Sequence, residues 1–284
     1  MRVLITGAGG LVASALVSRF ENVFALRHAA LDIGDPAAVQ SVFERINPEL
    51  VINCAVKGVD ACERDPALAA RVNVHGPANL ATIAASRGAA ILHFSSNYVF
   101  SGRREAREPY TIEDEPEPIN VYGATKLAGE RAVLEANERA FIIRTSWVYG
   151  PGKDSFLGSA AARLRRGERV QAICDTRANT TYVEDLADRV REIVDRGVRG
   201  TYHVVNEGIC SYETFAREAA RMAGVPESVA EQLIEVVTEA SMQRPAPRPA
   251  CTPMRCLLSE RLHLPQMRPW QAALAGYVAH GDRS

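Results

Sequence analysis

The chain opens on a short apolar run that ends in a glycine-rich turn, and this start constrains the fold more than any other feature. Residues 2–6 form the run, Gly7 and Gly10 follow at once, and apolar residues then recur at helical spacing from Leu11. Glycines let the backbone approach a bound group closely, and a helix N-terminus presents free amides to an anion. In this order of strand, turn and helix, Gly-x-x-Gly-x-x-Ala predicts a dinucleotide site rather than a simple turn.

Further apolar runs alternate with helical segments along the first half of the chain. The runs lie at 22–26, 50–55, 89–94 and 140–145, and the helical segments near 36–46, 66–87, 119–137 and 155–166. Because parallel strands need crossover connections, this alternation predicts a doubly wound parallel α/β sheet of the Rossmann type. The pattern loosens after residue 150. We therefore expect a dinucleotide-binding domain over 1–150, with 183–205 returning to it, and a smaller substrate-binding lobe over 151–284.

Composition excludes several classes of partner. The 33 basic residues are offset by 34 acidic ones, so the chain has no basic field of the kind that binds nucleic acid or an anionic membrane. No apolar run approaches the roughly 18 residues of a membrane span, and the first strand begins where a signal peptide would lie. The six cysteines show neither C-x-x-C pairing nor zinc-site spacing. We expect a cytoplasmic protein with reduced thiols and no metal site.

Lysine is scarce in this chain, which has three lysines against thirty arginines. Lys126 lies four residues after Tyr122, which places both side chains on one face of a helix. A nearby ammonium favours tyrosinate and lowers the phenol pKa, so that Tyr122 can act as a general acid or base. Ser96 follows the strand at 89–94 and emerges at the same rim of the sheet, where it can hold a carbonyl oxygen. Ser96, Tyr122 and Lys126 are the predicted catalytic residues.

The residue after the second strand bears on the choice of cofactor. An acid at this position accepts hydrogen bonds from the ribose of NAD, whereas Arg27 can pair with the extra phosphate of NADP. The sequence favours NADPH, with NADH as the alternative. Arg27 can also be a solvent-exposed arginine with no role in cofactor binding. The predicted cofactor contacts lie at strand ends, in the glycine turn and in the catalytic pair. They are Gly7, Gly10, Leu11, Val12, Arg27, Asp32, Ile33, Cys54, Ala55, Tyr122 and Lys126.

Four motifs together resemble one known family. They are the glycine turn, the segment Ser95-Ser-Asn-Tyr-Val-Phe100, the segment from Tyr122 to Glu130, and Arg144-Thr-Ser-Trp-Val-Tyr-Gly150. The chain resembles the extended short-chain dehydrogenases/reductases and, within them, the dTDP-4-dehydrorhamnose reductase family, over most of residues 1–205. The resemblance implies that NADPH delivers hydride to C4 of a nucleotide-linked 4-keto-6-deoxyhexose while Tyr122 protonates the ketone oxygen, giving dTDP-L-rhamnose. It also implies that Asn73, which we count with the predicted cofactor contacts, matches a family asparagine that supports the lysine and a water; a helix-surface amide is the alternative.

The substrate side departs from the family pattern. Asn97 stands where the reductases usually have an aspartate that contacts the sugar, and Trp147 stands where the family's tryptophan packs against the sugar. Lys57, at the rim, and Arg248, in a proline-rich turn, are predicted to contact the substrate phosphates. Lys57 can instead pair with a neighbouring acid or be a plain surface lysine, and Lys153 is a weaker candidate for phosphate contact.

The sequence leaves two alternative functions open and does not decide several properties of the protein. One rival is an epimerase or dehydratase that retains NAD, against which Arg27 argues. The other is a noncatalytic NADP-binding subunit, since the regulatory subunit of methionine adenosyltransferase resembles these reductases. The expected partner is a nucleotide-sugar substrate rather than nucleic acid or membrane. The sugar, the nucleobase and the oligomeric state, a homodimer included, stay undecided.

Overall fold

The computed structural model describes residues 1–105, 108–152 and 155–281. Within these ranges the β-strands are β1 Val3–Thr6, β2 Val23–Leu26, β3 Leu50–Asn53, β4 Ala90–Ser96, β5 Ala140–Thr145, β6 Val148–Tyr149, β7 Val170–Ile173, β8 Arg177–Ala178, β9 Thr181–Tyr182, β10 Gly200–His203, β11 Ile234–Val237 and β12 Cys251–Thr252. The α-helices are α1 Leu11–Val17, α2 Pro36–Ile46, α3 Val59–Arg64, α4 Pro66–Ala70, α5 Gly76–Ser86, α6 Val121–Ala136, α7 Phe156–Arg165, α8 Val183–Arg196, α9 Tyr212–Met222, α10 Glu227–Leu233, α11 Leu257–Arg261 and α12 Trp270–Gly281.

The centre of the molecule is a six-stranded sheet in the order β10-β5-β4-β3-β1-β2, with every neighbouring pair parallel. The predicted doubly wound parallel sheet is confirmed. The chain runs outward from β1 to β2 and then places β3 on the other side of β1. The direction of winding therefore reverses between β1 and β3, and ligands of such sheets bind beyond the carboxyl ends of the strands at this point.

Alternate residues of the strands enter two different cores. On one face, a row of four aligned side chains packs against α2, α5 and α6: Leu4, Val51, Ile91 and Ala140. The opposite face, which includes Ile5 and Ile52, packs against α1, α8 and the C-terminal α12. A third cluster joins α7, α9 and α10 to the two-stranded pair β7–β11, outside the main sheet.

The helix predicted at 66–87 is interrupted. It divides into α4, a π-helical turn at Arg71–His75, and α5. Pro77 has no N–H to donate to the carbonyl of Asn73, four residues earlier. That carbonyl instead faces α6, where a Cβ added to Gly129 would lie 2.2 Å from it. The interruption thus lets α6, which carries Tyr122 and Lys126, pack closely on this segment.

Helix α10, in the loosely patterned second half of the chain, is short. It ends at Leu233, and Ile234–Val237 forms β11 beside β7. The β-branched residues of this stretch suit a strand once a partner strand is available. The first turn of the C-terminal helix α12, which the sequence pattern did not predict, packs through the buried Trp270. Among the described residues, no helix is both long and apolar enough to cross a membrane.

A buried ion pair joins α6 to β5. The Arg144 guanidinium donates to both carboxylate oxygens of Glu130, at 2.7–3.2 Å, and the two side chains are 8% and 3% exposed. Because the pair lies one turn beyond Lys126, it fixes this part of α6 against the sheet.

We predict that Glu130→Ala lowers the free energy of unfolding by about 3–5 kcal/mol, since it leaves Arg144 buried without its counter-charge. Urea denaturation measures the change. The matched control is Glu260→Ala, which removes the partner of Arg255 from a pair whose side chains are 57% and 47% exposed. The control should leave stability within experimental error, and an equal loss in both variants would contradict the role given to burial.

Candidate active site

The glycine turn is shaped by a close approach between two strands. Gly7 has a φ of +70°, and a Cβ added to it would lie 2.6 Å from the backbone N of Ala55, just after β3. Only glycine avoids both the strain and the clash. The turn therefore leaves room beyond the carboxyl ends of β1 and β3, beside the N-terminus of α1, where Leu11 and Val12 begin the helix.

The side chain of Arg27 lies beside this turn. A Cβ on Gly9, whose φ is +95°, would lie 3.3 Å from Arg27 Nε, and Arg27 itself is exposed. Asp32 accepts hydrogen bonds from the backbone N of Gly34 and from Arg71, at 2.9 and 2.6 Å. Ile33 is buried. Arg27 is thus placed at the rim of the predicted cofactor cleft with a free approach from solvent.

A row of buried polar side chains crosses three strands at the level where β1 and β3 end. Thr6, Asn53 and His93 are register neighbours on β1, β3 and β4, and each is at most 1% exposed. Thr6 Oγ1 donates to Asn53 Oδ1 at 2.6 Å, and Asn53 Nδ2 lies 3.0 Å from His93 Nδ1. The row ends at Lys126, whose Nζ lies 3.2 Å from His93 Nε2. It anchors Lys126 to the sheet.

Tyr122 stands in the first turn of α6. Asn120 is the N-cap of this helix. Its side-chain Oδ1 accepts from the backbone N of Gly123 at 2.7 Å, and its Nδ2 donates to the carbonyl of Pro247 at 2.8 Å. The Tyr122 ring meets Tyr98 edge to face, with centroids 5.7 Å apart. This cap fixes the start of the helix and thereby the position of the phenol.

The pKa values of Tyr122 and Lys126 differ from those expected from the sequence. Burial raises the pKa of Tyr122 to about 12, and a hydrogen bond with Ser96 acts in the opposite direction. The pKa of Lys126 is lowered to about 8 because burial penalises its ammonium, and Glu130 opposes this shift. The expected lowering of the phenol pKa by the lysine is not what the structure shows, because desolvation of the phenol outweighs the other contributions.

Asn73 fastens the loop after β3 to α6. Its Oδ1 accepts from the backbone N of Lys57 at 2.8 Å, and its Nδ2 donates to Thr125 Oγ1 at 3.1 Å. Asn73 is fully buried in the π-helical turn, a type of irregularity that is frequent at functional sites. It thus supports the residue beside Lys126 rather than the lysine ammonium itself.

A cavity of about 540 Å³ opens at the carboxyl edge of the sheet. It brings together eight of the predicted site residues: Val12, Cys54, Ala55, Ser96, Asn97, Tyr122, Lys126 and Trp147. Nine other predicted residues lie outside its lining: Gly7, Gly10, Leu11, Arg27, Asp32, Ile33, Lys57, Asn73 and Arg248. The cavity floor therefore holds all three predicted catalytic side chains, and the glycine turn extends the cleft beyond it.

Asn97 and Trp147 both line the cavity. Asn97 is buried, donates to Thr252 Oγ1 at 2.7 Å and accepts from Ser96 Oγ at 3.1 Å. Trp147 has a φ of +40°, which is strained for a bulky residue, and its ring lies 4.1 Å from that of Tyr212. The strain is consistent with a functional constraint on the tryptophan.

Arg248 is held by a carboxylate. It forms a two-pronged pair with Asp60 at 2.6 and 2.8 Å, and its side chain is 9% exposed. The guanidinium holds the pKa of Asp60 below its usual range. Glu63 accepts from the backbone N of Val121 at 3.1 Å. Asp60 and Glu63, the acids close to Lys57 in the sequence, therefore have these other partners, and Lys153 lies outside the described residues.

Sequence reasoning did not single out several residues of the site. Those in the cavity wall include Tyr98, Phe156, Gln171, Tyr212, Met242 and Arg244. Most come from the loosely patterned second half of the chain, where periodicity gives no position. The polar row carried a usable signal, because Thr6, Asn53 and His93 each interrupt or end an apolar strand, and a polar residue buried in a strand requires a partner.

Comparisons with known proteins identify the family of this chain. A family model described as the RmlD substrate binding domain matches residues 1–282. A dTDP-4-dehydrorhamnose reductase of Mycolicibacterium smegmatis is 38% identical over 286 residues, which cover 98% of this chain and 85% of the relative. A Streptomyces antibioticus protein, described as a probable dTDP-4,6-dihydroxy-2-methyloxan-3-one 4-ketoreductase, is 36% identical, with 96% and 93% covered.

A solved structure is similar over nearly its whole length. The dTDP-4-dehydrorhamnose reductase of Bacillus anthracis, in complex with NADP, superposes with a TM-score of 0.91 at 30% identity, covering 98% of this chain and 99% of that one. The resemblance drawn from the motifs is thus confirmed: the chain belongs to the dTDP-4-dehydrorhamnose reductase family.

Proposed function

We propose that the protein reduces the 4-keto group of a nucleotide-linked 6-deoxyhexose with NADPH, the expected substrate being dTDP-4-dehydrorhamnose and the product dTDP-L-rhamnose. The observation that carries the proposal is the meeting of Ser96, Tyr122 and Lys126 in one cavity beside the glycine turn. Relatives of similar identity are named for reduction of 4-keto dTDP sugars. The reaction type thus rests on both the site and the family.

The cleft beside the glycine turn fits the phosphate groups of a dinucleotide cofactor. At Gly7 the Cβ position collides with the backbone after β3, and at Gly9 it meets Arg27, so the turn offers backbone rather than side chains to a bound pyrophosphate. Arg27 would hold the additional phosphate of NADPH as a charged pair. When bound, the cofactor supplies the hydride that adds to C4 of the sugar.

The chain's own residues complete the reduction. As C4 accepts the hydride, the electron pair of the C=O bond moves to oxygen, and Tyr122 donates its phenolic proton there. Ser96, which hydrogen-bonds the phenol, would turn its hydroxyl proton from Asn97 Oδ1 to the same oxygen and orient it. The charged form of Lys126 stabilises the phenolate left behind. Together with the hydride from the cofactor, these groups convert a ketone into an alcohol.

The substrate side is assigned by position. Trp147 and Asn97 face the cavity and would contact the sugar ring. Arg248 and Lys57 are proposed to lie near the diphosphate, although Arg248 must share its guanidinium with Asp60. The change from aspartate to Asn97 replaces an acceptor-only group with an amide that already donates to Thr252. We therefore expect any functional difference between this protein and its relatives to lie in sugar specificity.

We predict that Tyr122→Phe lowers NADPH turnover with a dTDP-4-keto-6-deoxy sugar by about 100-fold or more, because the phenol supplies the proton. NADPH absorbance follows the rate. The control is Tyr149→Phe, which removes a fully buried hydroxyl with no hydrogen-bond partner among the described residues and outside the cavity lining. Equal rates for wild type and Tyr122→Phe would contradict the mechanism. Absence of turnover with any 4-keto nucleotide sugar would instead favour the noncatalytic binding subunit.

We predict that Arg27→Glu raises the KM for NADPH by about 10-fold or more while leaving that for NADH the same or lower, because a carboxylate repels the additional phosphate and accepts from a ribose. Steady-state kinetics with both cofactors measures the change. Arg45→Glu is the control, since Arg45 is also exposed but lies in the last turn of α2, at the opposite edge of the sheet. An unchanged NADPH KM in Arg27→Glu would remove Arg27 from the cofactor site.

A further inference from the structure

The orientation of the Asn53 amide is fixed by its neighbours. Its Oδ1 accepts from the backbone N of Ala55 at 3.2 Å and from Thr6 Oγ1 at 2.6 Å. A backbone N–H is an obligatory donor, so a flipped amide would place its NH₂ group against another donor. Asn53 therefore presents its NH₂ group to His93 Nδ1, 3.0 Å away.

This orientation decides the tautomer of His93. Because Nδ1 faces a donor, it must be the unprotonated, accepting nitrogen, and a neutral imidazole then carries its proton on Nε2. The imidazole is fully buried, and burial together with the Lys126 charge lowers its pKa well below the usual value, which keeps it neutral. His93 thus presents an N–H group to the lysine.

The contact between His93 and Lys126 is therefore selective for charge. The 3.2 Å separation of Nε2 and Nζ is a hydrogen-bond distance, and two donors cannot share it favourably. An uncharged amine can accept from Nε2–H through its lone pair, whereas an ammonium has only donors. The geometry favours the neutral lysine over the charged one.

We propose that Asn53 locks His93 in the Nε2–H tautomer and that His93, as a positioning residue, makes Lys126 a titratable group instead of a permanent cation. The charge that supports the Tyr122 phenolate is then present or absent according to pH. The link to catalysis rests on the proposed function, but the lock and its effect on Lys126 do not.

Other ionisable groups around Lys126 must be weighed against this contact. Glu130, four residues along α6, raises the pKa of the lysine, as do Cys54 after β3 and Cys62 on α3, while burial lowers it. His93 on β4 is the neighbour that accepts or donates according to its tautomer. Replacing His93 with a group of similar burial therefore separates its effect from desolvation.

The first test is the tautomer in the unmodified full-length protein. Nitrogen-15 spectra of the six histidine rings distinguish the protonated nitrogen in each. The buried His203 is an internal contrast, since its Nδ1 faces the carbonyls of Tyr110 and Arg255 at 3.2 and 3.1 Å and must carry its proton there. We expect opposite tautomers for the two buried rings. His203→Gln should remove the pair of nitrogen signals that belongs to the buried Nδ1–H ring and leave the pair of the buried Nε2–H ring in place. An Nδ1–H tautomer at His93 would overturn the proposal without any variant of His93 having to fold.

The second test is the titration of Lys126. With three lysines in the chain, carbon-13 labelling at Cε gives a spectrum of three side-chain signals, and Lys126→Met assigns the relevant one. In His93→Gln a carbonyl oxygen can accept from the ammonium, so the Lys126 titration midpoint should rise by about one pH unit or more. His203→Gln is the matched control and should leave it unchanged. An unchanged midpoint in folded His93→Gln would show that burial alone sets the charge of Lys126.

A kinetic readout connects the lock to the reaction. The pKa of Lys126, lowered to about 8, places the loss of its charge within the working range. The rate of NADPH-dependent reduction should fall as pH rises through that range, because the phenolate loses its counter-charge. In His93→Gln the fall should move to higher pH, and in His203→Gln it should not. A shifted lysine titration without turnover in any form would leave the lock standing and reject the proposed function.

Discussion

The buried polar row from Thr6 through Asn53 and His93 to Lys126 is the constraint on which the rest of the site depends. Its first three members occupy the same level of three adjacent parallel strands, so the register of the sheet sets their spacing. Two residues earlier the same face is wholly apolar and packs against the helices. The row therefore marks where the core ends and the site begins. Each member satisfies the next, which offsets the large cost of burying polar groups.

The close approach of the glycine turn to the segment after β3 complements this row. Together they shape the crevice at the point where the sheet reverses its winding. On the substrate side, distant segments close over the crevice. The Arg248–Asp60 pair and the bond from Asn120 to the carbonyl of Pro247 tie the proline-rich segment to α3 and to the start of α6. Helix α6 is thus fixed by contacts with the sheet, with the π-helical turn and with the proline-rich segment near the C-terminus.

Much of the first half could be predicted from sequence because the relevant physics is local. The strand and helix periodicities gave the parallel sheet, and the pair Tyr122 and Lys126 lies on one helix, where spacing alone fixes proximity. Local patterns could not show that Asp60 would pair with Arg248, 188 residues away. Nor could they show that burial would raise the pKa of Tyr122 and lower that of Lys126, since desolvation depends on what packs around a group.

Apolar periodicity, glycine placement and helical spacing act over a few residues, so the fold class, the family and the proposed catalytic trio could be inferred from the amino-acid sequence. Tertiary structure alone decided the surroundings of that trio. It aligned Thr6, Asn53 and His93 through strand register, oriented the Asn53 amide through the backbone N–H of Ala55, and thereby set which nitrogen of His93 faces the lysine. Such a choice depends on hydrogen-bond partners brought together from separate strands, and no local pattern in the chain encodes it.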